Sequence, residues 1–154
     1  MPSIKVTPAK GLFQTSGTSA VPNGSLSGHL LTIVLLTGTT VLTAEDSGKI
    51  FEIDQDAAFT VTLPSAASVA GWNARFVLTD RGTNDVKIDS GTSNGIQGQV
   101  SDPTTGIIAI DNNLVKFANN VAVVGDFVDL YSNGTRYIVD GKTGAEDGIA
   151  GANS

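Results

Sequence analysis

The chain has 154 residues, no cysteine, and 15 Asp and Glu against nine Lys and Arg, which gives a formal net charge of −6. The absence of cysteine excludes disulfides, thiolate metal sites and a cysteine nucleophile. The acidic balance argues against a nucleic-acid partner, because neutralising phosphates needs clustered Lys and Arg.

The composition favours strands and turns over helices. There are 18 glycines and many Thr and Val residues, whereas Lys and Arg together number nine. We therefore predict an all-β fold, a jelly-roll-like or β-sandwich single domain with an extended N-terminal arm. The predicted divisions are an arm over 1–28, the sandwich over 29–141 and a Gly/Ala-rich tail over 142–154.

The arm is rich in Gly, Ser, Thr and Pro, and its apolar residues follow no sustained period. Such a segment can become ordered by lying along a neighbouring subunit. The candidate partner contacts in it are the apolar residues Ile4, Val6, Leu12 and Phe13. A frayed terminus or a first edge strand is the equally weighted alternative.

The first half of the predicted sandwich contains runs of apolar or alternating residues. These runs predict strands at Leu30–Leu36, Thr39–Thr43, Lys49–Asp54 and Phe59–Leu63. We expect the Leu30–Leu36 strand to be buried. It is far shorter than the roughly 20 residues that span a bilayer, so no membrane partner is predicted.

The middle of the chain predicts one helical turn, one hairpin and one loop. Ser65–Ala70 has room for a single helical turn between Pro64 and Gly71. Ala74–Asp80 and Asp85–Asp89 are predicted to pair as a hairpin. Ser90–Gly106, which is rich in small residues, is predicted to be a surface loop carrying a short strand.

Short strands separated by Asn and Gly complete the predicted sandwich. They are Ile107–Ile110, Leu114–Phe117, Val121–Val124, Phe127–Tyr131 and Arg136–Val139. Asn133-Gly134 lies between the last two strands and predicts a type I′ hairpin turn. From Gly141 onward the residues are small and polar, which predicts a tail.

Catalytic and metal-binding patterns are weak throughout the sequence. His29 is the single histidine and lies at the start of an apolar strand, so a Ser-His-Asp triad is not indicated. Two groups are the calcium candidates, Asp54 with Asp56 and Asp80 with Asn84 and Asp85, but neither has EF-hand spacing and both are typical of turns. We expect no enzyme activity, no cofactor and no metal.

Trp72 is the one tryptophan, and it follows Gly71 at a strand entrance. An aromatic residue at such a point can serve as a carbohydrate platform or an interface anchor, while packing in the core is the commoner role. We include Trp72 among the candidate partner contacts.

Two sets of short motifs resemble the small β-modules of tailed-phage structural proteins, which occur in head decoration proteins and tail fibres. The first set is Leu42-Thr43-x-x-Asp46-Ser47-Gly48-Lys49-x-Phe51, then Thr60-x-Thr62-Leu63-Pro64-Ser65, then Gly71-x-x-x-x-Phe76. The second is Asp126-x-x-x-Leu130-x-Ser132-x-Gly134-Thr135-x-Tyr137-x-Val139-x-Gly141. The resemblance covers about Val41 to Gly141 and implies a virion protein.

The size of the chain then favours a capsid decoration, or cement, protein over a long fibre. We therefore expect a protein on the outer capsid surface that clamps neighbouring capsomers, with the major capsid protein and itself, as a homotrimer, for partners. The alternative is a tail or fibre component that binds a host surface glycan, in which case Trp72, Tyr131 or Tyr137 should face solvent in a groove. A third hypothesis, a small glycan-active enzyme, requires two carboxylates facing each other across a cleft.

Overall fold

The computed structural model describes residues 31–153 in full and the backbone of residues 4–7 and 11–14. The chain divides into two compact units, Met1–Leu30 and Leu31–Ser154. In the first unit, β1 (Ile4–Thr7) pairs antiparallel with β2 (Gly11–Gln14). The boundary lies two residues beyond the predicted end of the arm.

The second unit is almost entirely β-structure, with two short 3₁₀ turns at Ala44–Asp46 and Ala66–Ser68. Its strands are β3 (Ile33–Leu36), β4 (Thr40–Val41), β5 (Lys49–Asp54), β6 (Phe59–Thr62), β7 (Asn73–Asp80), β8 (Val86–Asp89), β9 (Ile96–Asp102), β10 (Gly106–Asn112), β11 (Leu114–Phe117), β12 (Phe127–Ser132), β13 (Tyr137–Lys142) and β14 (Ile149–Ala152). Within the described residues no helix is long and apolar enough to cross a membrane.

These strands form two packed sheets. One has seven strands in the order β10-β9-β13-β12-β7-β5-β3, and the other has five in the order β14-β11-β8-β6-β4. The prediction of an all-β sandwich is confirmed. The sheets are mixed, since β3, β5 and β7 pair in parallel and so do β4, β6 and β8.

The first six strands of the sandwich therefore wind as a coil, each turn adding one strand to each sheet. β7 and β8 lie in different sheets, so the predicted hairpin between Ala74–Asp80 and Asp85–Asp89 is wrong. Alternation of apolar and polar residues indicates a strand but does not identify its partner. The turn at Ala66–Ser68 agrees with the predicted helical turn.

The core lies between the two sheets and is built from the inward-facing alternate residues. Phe51 on β5 stacks on Phe76 of β7, with ring centroids 5.0 Å apart. Fully buried aliphatic residues such as Ile53, Leu78 and Ile88 surround them. Full burial of such a side chain contributes about 1.5–3 kcal/mol, which makes this the main stabilising element of the fold.

Three predictions in the second half of the chain are wrong. Ser90–Gly106 is not a loop with a short strand, because it contains the seven-residue β9, which pairs with both β10 and β13. Val121–Val124 forms a turn instead of a strand. The predicted tail 142–154 contains β14, which pairs antiparallel with β11 and buries Ile149 completely.

The β12–β13 hairpin is confirmed, but its turn differs from the predicted type I′. Asn133 and Arg136 close the turn through the Asn133 N–H, which donates to the Arg136 carbonyl at 3.1 Å. Positive φ falls on Gly134, at 87°, and not on Asn133. A type I′ turn would need positive φ at both of its central residues, so the turn is not of that type.

Candidate functional site

Four of the five candidate partner contacts lie in the first unit. Ile4 and Val6 are on β1, and Leu12 and Phe13 are on β2. Their side chains lie outside the described part of the structure, so their role stays a prediction. His29 is also outside the described residues.

Trp72, the fifth candidate, is a core residue. It is 3% exposed, and its indole Nε1 donates to the Thr43 carbonyl at 3.0 Å. Its ring packs edge to face against Tyr137, which is itself buried. The interface or glycan-platform role considered for Trp72 is therefore wrong for this fold, because the side chain is not available at the surface.

The side chains of the two calcium candidates bond backbone groups, one locally in a turn and the others between segments that are distant in sequence. The Asp54 carboxylate accepts the Asp56 N–H at 2.9 Å, and Asn84 Nδ2 donates to the carbonyls of Gln55 and Asp56. Asp85 accepts the Asn119 N–H at 2.8 Å. Among residues 31–153, no group of three or more His, Asp and Glu side chains has an arrangement that could hold a metal ion.

The strand at one end of the larger sheet exposes a row of apolar side chains. β3 has β5 as its neighbour and is the last strand in the sheet order. Val34 and Leu36 pair with Phe51 and Ile53 and face inward. The alternate residues Leu31, Ile33 and Leu35 face outward and are 57–59% exposed, and we call these three the open edge.

The open edge corrects the prediction that Leu30–Leu36 is buried. An apolar run is typical of a strand covered on both faces, but periodicity cannot distinguish such a strand from an uncovered edge strand. Val41 on β4, the edge strand of the smaller sheet, is also 70% exposed. Sequence reasoning missed this surface, although the absence of charge from residues 30–43 was the available signal.

A groove of about 510 Å³ lies on the outer face of the seven-stranded sheet and begins at Leu31 of the open edge. Its remaining described lining comes from β5, β7, β12 and the turn before β5: Gly48, Lys49, Ile50, Asn73, Ala74, Arg75, Asp129, Leu130 and Tyr131. Tyr131 is 51% exposed. Of the three aromatic residues considered for glycan binding, Tyr131 is the one placed in a groove.

An ion pair crosses the groove between neighbouring strands. Arg75 donates through Nε to Asp129 Oδ1 at 2.7 Å and through Nη2 to Oδ2 at 2.6 Å, a two-pronged arrangement. The hydrogen bond to Asp129 raises the pKa of Arg75 above its ordinary value, and the guanidinium also lies over the Phe127 ring at 4.6 Å. These contacts hold Arg75 and Asp129 in fixed positions beside Tyr131.

The described lining of the groove lacks the paired acids of a glycoside hydrolase. Asp129 is the one carboxylate among its described lining residues, and it is already paired with Arg75. A glycan-active enzyme needs two carboxylates facing each other across the scissile bond. The groove thus offers positions for binding a ligand, with no second acid beside Asp129 in that lining.

Comparison with protein-family models, with curated proteins and with solved structures found no match to this chain.

Proposed function

We propose that this chain is a capsid decoration protein of a tailed bacteriophage, which binds the outside of an assembled head and clamps neighbouring capsomers. The observation that carries the proposal is the open edge. Three apolar side chains on an uncharged edge strand form a surface suited to a protein partner and unsuited to water. The motif resemblance to phage β-modules supports the same role.

A clamp needs at least two attachments, and the chain offers two separate elements. The first unit carries Ile4, Val6, Leu12 and Phe13 on a pair of short strands. The second unit carries the open edge, which joins two copies of the chain, so that a pair of copies presents two first units to neighbouring capsomers. Linking two weak capsid contacts in one pair of copies makes the second contact intramolecular, so the combined attachment is stronger than either contact alone.

The stabilising mechanism in this proposal is mass action. A protein that binds the assembled shell and not its separated subunits stabilises the shell by an amount that grows with its concentration. At a free concentration one hundred times the dissociation constant, each site contributes about 2.7 kcal/mol. The partner is the major capsid protein, and the location is the outer capsid surface.

The test is the copy number of the chain in purified virions of the source phage, measured by quantitative mass spectrometry against the major capsid protein. Many copies in fixed ratio to the capsid protein are expected. Absence from the particle would overturn the virion role, and a few copies per particle would move the protein to the tail.

A variant separates the role of the first unit from folding. Phe13→Asp in the full chain should weaken attachment to heads that lack the protein while leaving the circular dichroism spectrum unchanged. Thr104→Asp, at an exposed turn position of the second unit, is the control and should attach normally. Equal attachment of the two variants would contradict a contact through Phe13.

The alternative function, glycan binding by a tail or fibre component, is favoured by the position of Tyr131. Its half-exposed ring can stack on a sugar face, and Asp129, fixed by Arg75, can accept hydrogen bonds from hydroxyl groups. Binding of host surface polysaccharide should weaken about tenfold, or about 1.4 kcal/mol, in Tyr131→Ala. The exposed Thr135→Ala is the control, and binding that is the same in both variants would remove the groove from consideration.

A further inference from the structure

Within residues 31–153, the backbone of the open edge has unpaired groups on the same residues that expose apolar side chains. Ile50 N donates to the Thr32 carbonyl at 2.9 Å, and the parallel register pairs Val34 with Phe51. In a parallel ladder, alternate residues direct both backbone groups toward one neighbour. Residues 32, 34 and 36 therefore direct their backbone N–H and C=O groups toward β5. Ile33 and Leu35 direct theirs away from the sheet.

In the described part of the chain, this edge lacks the charges, prolines and bulges by which proteins normally protect edge strands. Such strands are kept from pairing by charges, proline, bulges or very short length. Residues 30–43 contain no Asp, Glu, Lys, Arg or Pro. The opposite edge strand of the same sheet, β10, contains Asp111, and β4 has two residues, so both have one of these protections.

We propose that the open edge pairs with the open edge of a second copy of this chain, β3 against β3, antiparallel about a two-fold axis. Centring the pair on Ile33 places Leu31 of one copy opposite Leu35 of the other. Each of these facing pairs can exchange two N–H···O=C bonds, because their free backbone groups point at one another. The two seven-stranded sheets then continue into one another.

The self-complementarity of the strand is the reason that the occupant is a second copy, and charge determines where two copies can meet. Two chains that each carry a net charge of −6 repel one another, and they can approach most closely where both surfaces are neutral. The open edge provides a neutral strip. It is also self-complementary, because antiparallel pairing of identical strands sets apolar residues against apolar residues along the outward-facing row.

Two-fold pairing has a definite consequence for assembly. The contact is isologous, so it closes after two subunits and predicts a dimer in place of the homotrimer implied by the resemblance. The inference does not depend on the protein being part of a virion. Copy number in virions tests the decoration role, and oligomeric state in solution tests the pairing of the open edges. Because the two quantities are measured independently, either proposal can fail while the other holds.

The experiment measures the mass of the purified full chain by sedimentation and light scattering over a wide range of concentration. The test variant is Ile33→Lys, which places two ammonium groups against each other at the two-fold axis. The control is Ile107→Lys on β10, a substitution of the same residue type at nearly equal exposure, 61% against 59%. A dimer in the wild type and in the control, with a dissociation constant at least about tenfold higher in Ile33→Lys, is the expected result.

A second variant tests the backbone part of the contact. The Ile33 N–H points away from β5, so Ile33→Pro removes a donor used between copies and none used within the sandwich. It should dissociate the dimer while the circular dichroism spectrum keeps its β signature. A wild-type monomer, a trimer, or a dimer that both Ile33 variants leave intact would overturn the proposal.

Discussion

Trp72 and Tyr137 pack edge to face in the core, with ring centroids 5.7 Å apart and ring planes at 85°. Each ring also donates a hydrogen bond to a backbone carbonyl: Trp72 Nε1 to Thr43 at 3.0 Å and the Tyr137 hydroxyl to Pro64 at 2.8 Å. Thr43 follows β4 and Pro64 follows β6, so the pair ties the β12–β13 hairpin to the coil of parallel strands.

Removing the Tyr137 hydroxyl should weaken this link without opening a cavity. Tyr137→Phe keeps the ring contact with Trp72 and loses the bond to the Pro64 carbonyl, so we expect the free energy of unfolding to fall by about 1 kcal/mol. Urea denaturation followed by circular dichroism measures the change. Tyr131→Phe, the same substitution at a half-exposed position, should change stability by less than about 0.5 kcal/mol. Equal effects at the two positions would contradict the assigned role of the buried hydroxyl.

The raised pKa of Tyr137 predicts how the stability of the fold depends on pH in alkaline solution. Burial raises the pKa of Tyr137 from 10.0 to about 12, because the phenolate is poorly solvated in the core. The folded state then resists deprotonation more than the unfolded state, so this contribution to stability is complete below about pH 10 and declines as the pH rises toward 12. Urea midpoints across this range should fall more steeply for the wild type than for Tyr137→Phe. Equal slopes of urea midpoint against pH for the two proteins would contradict the raised pKa of Tyr137.

Asp126 and Asp102 account for the ordered C-terminal strand that the sequence did not predict. Asp126 is buried, and its carboxylate accepts the Gly144 N–H at 2.7 Å, the Val123 N–H at 2.9 Å and the Thr143 hydroxyl at 3.1 Å. Asp102 accepts the Asp147 N–H at 3.0 Å. These bonds hold the segment between β13 and β14, which lets β14 reach β11.

Asp126→Asn should therefore loosen the C-terminal segment. The amide replaces one acceptor oxygen by a donor that faces the N–H groups of Gly144 or Val123, and a buried unsatisfied donor costs about 1–3 kcal/mol. Hydrogen exchange should show the largest loss of protection in β14, at Ile149–Ala152. Asp140→Asn, an exposed position on β13, is the control. Unchanged hydrogen exchange in β14 would contradict the prediction that the order of this strand depends on Asp126.

The lowered pKa of Asp102 predicts that the protein loses stability in acid. Hydrogen bonds from backbone N–H groups, of which that of Thr105 has the largest effect, hold the pKa of Asp102 below its ordinary value of 3.8. A lowered folded-state pKa stabilises the protein above the unfolded value, and this contribution is lost as the pH falls from about 3.8 through the folded value. The wild type should lose stability across this range more steeply than Asp102→Asn. An identical acid profile in the two proteins would be evidence against the assignment.

How far the sequence predicts this fold depends on whether a feature is local. The bounds of β5 match the prediction at Lys49–Asp54, and β6 and β7 agree within one residue, because alternation is a property of neighbouring residues. β14 was missed because Ile149 gives almost no pattern, and the strand depends on side chains of Asp102 and Asp126 that are distant in sequence.

The candidate sites were predictable only in part, for the same reason. Tyr131 was one of three aromatic residues considered, and what separates it from Trp72 and Tyr137 is which face of its strand lies outward. The open edge depends on which strand comes last in the sheet, a tertiary fact. The absence of charge from residues 30–43 indicates a neutral segment, and neutrality alone fits a covered strand equally well.

Gly98 on β9 gives the sharpest test of the strand that replaced the predicted loop. Its φ is 148°, and a Cβ at this position would lie 2.0 Å from the carbonyl oxygen of Val139, the residue it pairs with on β13. A glycine within a strand often marks such a close approach of two backbones. Because backbone atoms cannot move aside cheaply, Gly98→Ala should lower the free energy of unfolding by more than about 2 kcal/mol.

Gly106→Ala is the matched control for Gly98→Ala, since its φ is also positive, at 85°, but a Cβ there meets nothing within 4 Å. It should cost only the backbone strain of about 1–2 kcal/mol. If urea denaturation gave the two variants the same midpoint, the parallel pairing of β9 with β13 would have to be abandoned.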